Sequence, residues 1–268
     1  MTTARQFTAM GRRVGRGRAS VDDITHFVGL LLPDAVYQVN NAFSPRQLIK
    51  KDRKAEPLPV EKRQLSSYRT RIGTMLEYAI STSMDARIKK VFRDDLRLTF
   101  AVAHEYPDFF IRDAVLGQRV RIEMKAVDAE SAEQAARFDV LTSLIQGEKD
   151  VVALIGWKWF LSRLPNGTKC EYPQIFSFIV VPAADLAQER DKSVVLRGGR
   201  VRKDRILVPS KKQRGTLTED KGNAGKILRL VHQKRKAEPF HLSSHIQKYL
   251  QFCDAVGQRR ATRAKKGK

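Results

Sequence analysis

Two short segments constrain the fold more than any other part of the chain. Residues 151–157 and 175–181 are nearly continuous apolar runs bounded by charged residues and Pro182. Strands of this kind are buried on both faces, so helices must cover both sides of their sheet. Upstream, Leu96, Leu98, Phe100 and Val102 alternate with Arg97, Thr99 and Ala101. Val120, Ile122 and Met124 likewise alternate with Arg121, Glu123 and Lys125. A period of two marks strands whose successive side chains point to opposite faces. Pro107 breaks the first of these strands, residues 108–112 resume an extended segment, and Gly117 marks a turn.

Helices are expected between and around these strands. Ser20 and Asp23 have the form of a capping box and open a helix that Pro33 is expected to end. A second helix is expected over residues 66–83, with Ile72, Met75, Leu76, Ala79 and Ile80 on its apolar side. Residues 44–60 hold three prolines among charges and read as a loop. Further helices are expected over 130–146, 183–189, 225–236 and 243–256. The order helix, three strands, helix, strand, strand predicts an α/β fold with a central mixed sheet flanked by helices.

The net charge of +22 over 268 residues narrows the partner. It is unevenly placed: residues 1–20 carry +5, residues 189–268 carry +16, and residues 21–188 carry only +1. A near-neutral core with basic extensions points to nucleic acid, with an anionic membrane surface as the second choice. The apolar fraction of 42% suffices for a core, which argues against a disordered polycation. No apolar run reaches the roughly 18 residues of a membrane span. The N-terminal stretch lacks the apolar centre of a secretory signal; it reads as a transit peptide, a phosphate-binding arm or a solvated tail. Residues 259–268 read as a mobile basic tail. Two distant cysteines, Cys170 and Cys253, exclude a disulfide framework and suit a reducing cytoplasm.

Chemistry concentrates in one stretch. Pro107-Asp108 is followed, after fourteen residues, by Glu123-Met124-Lys125. On a strand, Glu123 and Lys125 share a face while Met124 points into the core. Charged residues on an interior strand need a compensating purpose, since a solvated ion pair would sit at an edge. Asp108 follows a strand break and can bring its carboxylate beside Glu123, and two converging carboxylates are a way to hold Mg²⁺. On the preceding helix Arg69, Gly73 and Glu77 form one stripe, where Gly73 permits a close approach and Glu77 adds a carboxylate.

This pattern resembles the PD-(D/E)xK nuclease superfamily, and the layout over residues 66–160 looks most like a type II restriction endonuclease. The resemblance implies a restriction-endonuclease-like core in which Asp108 and Glu123 bind Mg²⁺ with the main-chain carbonyl of Met124. It implies that Lys125 positions and helps deprotonate the attacking water, that Glu77 assists, and that cleavage leaves 5′-phosphate ends. Asp113 is a rival to Asp108 as first ligand, but it lies toward the turn. Two further acid-x-Lys tripeptides, at Asp52 and Glu219, lack the strand context.

The function expected on this basis is Mg²⁺-dependent, site-specific cleavage of double-stranded DNA in a prokaryotic cytoplasm. A homodimer suits a palindromic site, and a cognate DNA methyltransferase would protect the host. Holliday-junction resolvase, transposition nuclease and non-catalytic nucleic-acid binder are the alternatives. The organisation expected is a basic arm and helical region over 1–60, a nuclease core over 61–190, and a basic DNA-contacting helical region over 191–268 that packs with the core. Arg197, Arg200, Arg202, Lys211, Lys212 and Arg214 are the candidate DNA contacts, with Arg200 and Arg202 favoured for the groove. His241 and His245 lack the glutamate of a zinc-protease motif and read as surface or capping residues. His104 reads as a packed strand-end residue. Trp157 and Trp159 read as core packing.

Overall fold

The computed structural model describes residues 3–44, 51–52, 55, 57, 59–101, 106–129, 144–195, 200–201, 203, 207–208 and 243–266. Five helices and eight strands are described: α1 (Thr3–Gly15), α2 (Val21–Ala42), β1 (Lys51–Asp52), α3 (Lys62–Phe92), β2 (Leu96–Phe100), β3 (Phe109–Asp113), β4 (Gln118–Asp128), β5 (Asp150–Arg163), β6 (Lys169–Pro182), α4 (Ala183–Val195), β7 (Arg200–Val201), β8 (Leu207–Val208) and α5 (Ser244–Lys266). The fold is α/β. Strands β1 to β6 form one mixed sheet in the order β1-β6-β5-β4-β3-β2. All neighbours are antiparallel except β4 and β5, which run parallel.

The alternation of the strands divides the core into two layers. Val120, Ile122 and Met124 of β4, with Val151, Ala153 and Ile155 of β5, face α1, α2 and α3. The opposite parity, Val127, Val152 and Leu154, packs against Leu186 and Ala187 of α4 and Ile246, Tyr249, Phe252 and Val256 of α5. Strand β5 is thus buried on both faces, as its composition requires. It is twice as long as the apolar run because its outer half forms a hairpin with β6. Within that pairing the register shifts between Gly156 and Trp157. There the Asn40 side chain donates to the Ile175 carbonyl and accepts from the Ile175 N–H, both at 2.8 Å. Trp157 and Trp159 are core residues, as expected.

Several helices depart from expectation. The Ser20 capping box with Asp23 forms, but α2 continues through Pro33 to Ala42. Pro33 is exposed, and Phe27, Val28, Leu31, Leu32, Ala35 and Val39 hold both halves of the helix to the core. Helix α3 is longer than residues 66–83 at both ends. Its buried row is Leu76, Ile80, Met84 and Ile88, and Met75 is exposed rather than part of the apolar side. The N-terminal stretch is no arm or tail, since most of it is helix α1, with Phe7 and Val14 buried. Phe7 stacks on Phe27 at 5.1 Å and meets Phe92 at 5.4 Å. Gly11 is required there, because a Cβ would sit 2.0 Å from the Phe92 ring. The basic C-terminal segment continues α5 as helix to Lys266.

The expected helix over 130–146 lies mostly outside the described residues, and residues 144–146 are not helical. The expected helix over 225–236 lies outside them altogether. Cys170 and Cys253 are both buried and form no disulfide with each other. Among the described residues no helix is long and apolar enough to cross a membrane. If α1 is part of the core, Phe7→Ala should cost about 3–5 kcal/mol in urea unfolding. A change under about 0.5 kcal/mol would show the helix to be an unattached extension.

Candidate active site

The site is built where two neighbouring strands part. The last residue pair joining β3 to β4 is Phe109 with Ile122. Beyond it β4 runs on to Asp128, paired with β5 alone. Its outward N–H groups at Met124 and Ala126 therefore have no strand to donate to, and buried N–H groups must find acceptors. Carboxylates supply them. The Met124 N–H donates to Asp108 Oδ2 at 2.8 Å, and the Ala126 N–H donates to Glu77 Oε1 at 2.7 Å. Asp108 stands just ahead of β3, after the cis peptide bond Tyr106–Pro107. Glu77 reaches across from α3.

The α3 stripe tracks the freed edge of β4. Arg69 Nε pairs with Asp128 Oδ2 at 2.8 Å, and a Cβ on Gly73 would lie 3.6 Å from the Ala126 Cβ. The neighbour that approaches Gly73 is thus Ala126, at ordinary contact distance. Glu123 and Lys125 project from β4 on the face opposite Met124. Lys125 Nζ lies 2.6 Å from Glu123 Oε1 and 3.4 Å from Asp108 Oδ2. One ammonium group thus holds two carboxylates, and Glu77 lies close enough to feel all three charges.

The charges are unequal in number, and this governs their protonation. Burial pushes both Glu77 and Glu123 up to about 7; Lys125 opposes the rise and the neighbouring carboxylates add to it. For Lys125, burial works against the charge, but Glu123, Asp108 and Glu77 outweigh it and hold the amine protonated beyond its ordinary range.

Oxygen donors of this kind suit a hard divalent cation, and the Lys125 ammonium already occupies a cationic position between Asp108 and Glu123. Among the described residues no group of three or more His, Cys, Asp or Glu side chains is arranged to ligate a metal.

Asp113 is not a rival. It sits at the far end of β3, accepts from the N–H groups of Val115 and Gly117 at 3.1 and 2.7 Å, and pairs with Arg119 at 2.5 Å. It closes the β3–β4 turn. His245 lies 3.3 Å from Asp185 and 3.6 Å from Asp22, a bridging position between helices. Arg200 is exposed on the short β7–β8 ladder. Arg197, Arg202, Lys211, Lys212, Arg214, His104 and His241 lie outside the described residues.

A buried network beside the site escapes sequence reasoning. Tyr106 Oη donates to Asp150 Oδ1 at 2.7 Å, Arg121 Nε lies 3.0 Å from the same oxygen, and the Gln146 N–H donates to Oδ2 at 2.7 Å. Asp150 is fully buried, and burial pushes its carboxyl above the usual range against the pull of Tyr106 and Arg121. The network ties the segment carrying Asp108 to the starts of β4 and β5. Its signal was an acid directly before the apolar run of β5 and an arginine on the polar parity of β4.

Comparison of the chain with protein-family models, with curated proteins and with solved structures returns no match.

Because Glu77 and Glu123 titrate above their ordinary 4.5 in the folded chain, that chain binds more protons than the unfolded chain between about pH 4.5 and 7. Their contribution to stability therefore falls as pH rises through this window and is level above it. Glu123→Gln should gain in melting temperature relative to the native chain between about pH 5 and pH 8. A difference between the two that is independent of pH would contradict the raised pKa.

Proposed function

We propose that this chain is a Mg²⁺-dependent phosphodiester hydrolase of the PD-(D/E)xK type, acting on double-stranded DNA as a type II site-specific endonuclease. The observation that carries this reading is the excess of charge at the divergence of β3 and β4. Three carboxylates, Glu77, Asp108 and Glu123, surround a single ammonium. Asp108 and Glu77 serve the freed N–H groups of Met124 and Ala126, yet clustering them with Glu123 adds repulsion and burial cost that a structural ion pair does not need. A bound divalent cation would relieve both.

The topology agrees with this reading. A long helix leads into the three-stranded antiparallel run β2-β3-β4, and the next strand, β5, returns parallel to β4. That arrangement is what the resemblance implies for a restriction-endonuclease-like core.

Asp108, Glu123 and the Met124 carbonyl are the groups that would hold the ion. When bound, such an ion lowers the pKa of water and neutralises charge developing on the phosphoryl oxygens. The chain's own residues then have distinct tasks. Asp108 is oriented by the Met124 N–H, and Glu77 is fixed on the Ala126 N–H. Lys125 is held charged against burial by Glu123, Asp108 and Glu77 when no ion is present; beside a bound cation it would shift toward the neutral form in which it could take a proton from the attacking water. Homodimerisation, a protecting methyltransferase and a cytoplasmic setting belong to the same proposal.

The 2.6 Å contact between Glu123 and Lys125 is the observation that favours a second reading, a non-catalytic DNA-binding protein with a buried ion pair. Plasmid DNA separates the two. With Mg²⁺ the native chain should give discrete fragments, and with EDTA none. Asp108→Ala, Glu123→Gln and Lys125→Ala should each fall to the EDTA level while still shifting DNA on a gel. Mg²⁺ alone should also raise the melting temperature of the native chain and leave that of Asp108→Ala unmoved. Intact plasmid together with a metal-independent melting temperature would support the binding protein instead.

A further inference from the structure

Asp108 lies outside the ladder that it serves. Its neighbour Phe109 makes the last pair with β4, yet Asp108 Oδ2 sits 2.8 Å from the Met124 N–H. Two tethers hold the segment that carries it. The Ala101 N–H donates to the Asp108 carbonyl at 2.9 Å, which fixes the backbone to the end of β2. The second tether is the side chain of Tyr106, two residues upstream. Its Oη donates to Asp150 Oδ1 at 2.7 Å, and Asp150 is the first residue of β5. Asp150 pairs opposite Arg121, on the side of β4 away from β3. The tyrosine therefore straps across β4, with the Arg121 guanidinium 5.3 Å from its ring.

The far end of this strap is a fixed anchor. Asp150 is fully buried, Arg121 Nε lies 3.0 Å from its Oδ1, and the Gln146 N–H donates to its Oδ2 at 2.7 Å. Arg121 also donates to the Leu144 carbonyl at 3.0 Å, so both charged residues are committed to the segment leading into β5. A buried ion pair is a weak source of stability. What this one secures is an acceptor in one place for Tyr106. Burial and the Asp150 charge push the Tyr106 hydroxyl above its ordinary range, so it stays a donor. The charge of Glu123 is felt at the same hydroxyl, so the strap passes beside the site.

We propose that Tyr106 and Asp150 are positioning residues, which set the Asp108 carboxylate on the Met124 N–H and thereby fix its spacing from Glu123. Affinity for a cation held between those two acids depends on that spacing, as it commonly does on residues behind the ligands. The role toward a cation rests on the nuclease reading, whereas the placing of Asp108 does not.

Tyr106→Phe tests this, because it keeps the ring over Arg121 and removes only the hydroxyl. Amide hydrogen exchange followed by NMR gives the local readout. The Met124 N–H should exchange at least about tenfold faster in the variant. The Ala126 N–H, held by Glu77 from α3, should keep its native rate. A merely structural loss would speed both amides together, so their ratio stays informative even where the variant is less stable. Calorimetric titration with Mg²⁺ should show an affinity lower by at least about tenfold. Plasmid cleavage should slow at limiting Mg²⁺ and recover at saturating Mg²⁺, with the KM for DNA unchanged.

Native exchange at Met124, or equal acceleration at Met124 and Ala126, would overturn the positioning role whether or not the chain cleaves DNA. Acceleration confined to Met124, in a protein whose native form neither binds Mg²⁺ nor cleaves, would uphold the placing of Asp108 and defeat the nuclease reading. Acceleration at Met124 with native Mg²⁺ affinity would overturn the role toward the cation.

Discussion

The site depends on a strand that outruns its neighbour. Once β3 stops pairing at Phe109, the N–H groups of Met124 and Ala126 face a gap, and leaving either unsatisfied would cost about 1–3 kcal/mol. Asp108 and Glu77 accept these hydrogen bonds. Bonds from a backbone N–H to a carboxylate are among the stronger ones available to a protein. The length of α3 follows from the same need, because its stripe of Arg69, Gly73 and Glu77 must lie along the freed edge from Asp128 inward. The carboxylates of Asp108 and Glu77 are thereby placed by backbone requirements.

That arrangement leaves a local charge imbalance. Glu77 and Glu123 are held near neutrality in proton affinity, at about 7, by burial that Lys125 only partly offsets. Clustering these acids costs stability that the N–H bonds they accept offset only in part, and on the proposed reading that cost prepares the cluster for a cation. The buried Tyr106–Asp150–Arg121 network beside it adds rigidity where the chain leads into Asp108.

Legibility from sequence varied with the kind of physics involved. Alternation at Val120, Ile122 and Met124 and the apolar run of β5 were sufficient for the α/β class, because facing is set by a period of two. The juxtaposition of Asp108, Glu123 and Lys125 followed from that parity and one strand break. Pro33 was misleading because its cost depends on whether the freed carbonyl meets water, which only the packing of α2 decides. Helix α1 was hidden because five arginines dominate the composition of residues 1–20, while Phe7, Gly11 and Val14 acquire meaning only beside Phe27 and Phe92. The Asn40 pairing with Ile175 spans 135 residues and leaves no local trace.

The distribution of charge gives the proposed chemistry an order. On the proposed reading the cluster of Glu77, Asp108, Glu123 and Lys125 would repel a phosphate, whereas the basic segments would attract one. DNA could be held by the outer charges without entering the pocket at all. Only when a divalent cation compensates the carboxylates does the pocket change from repelling a phosphodiester to accepting it. The net charge of +22 and the acid-rich centre are then complementary parts of one device. On the proposed reading the excess of bases would govern encounter, and the excess of acids would make productive approach conditional on metal.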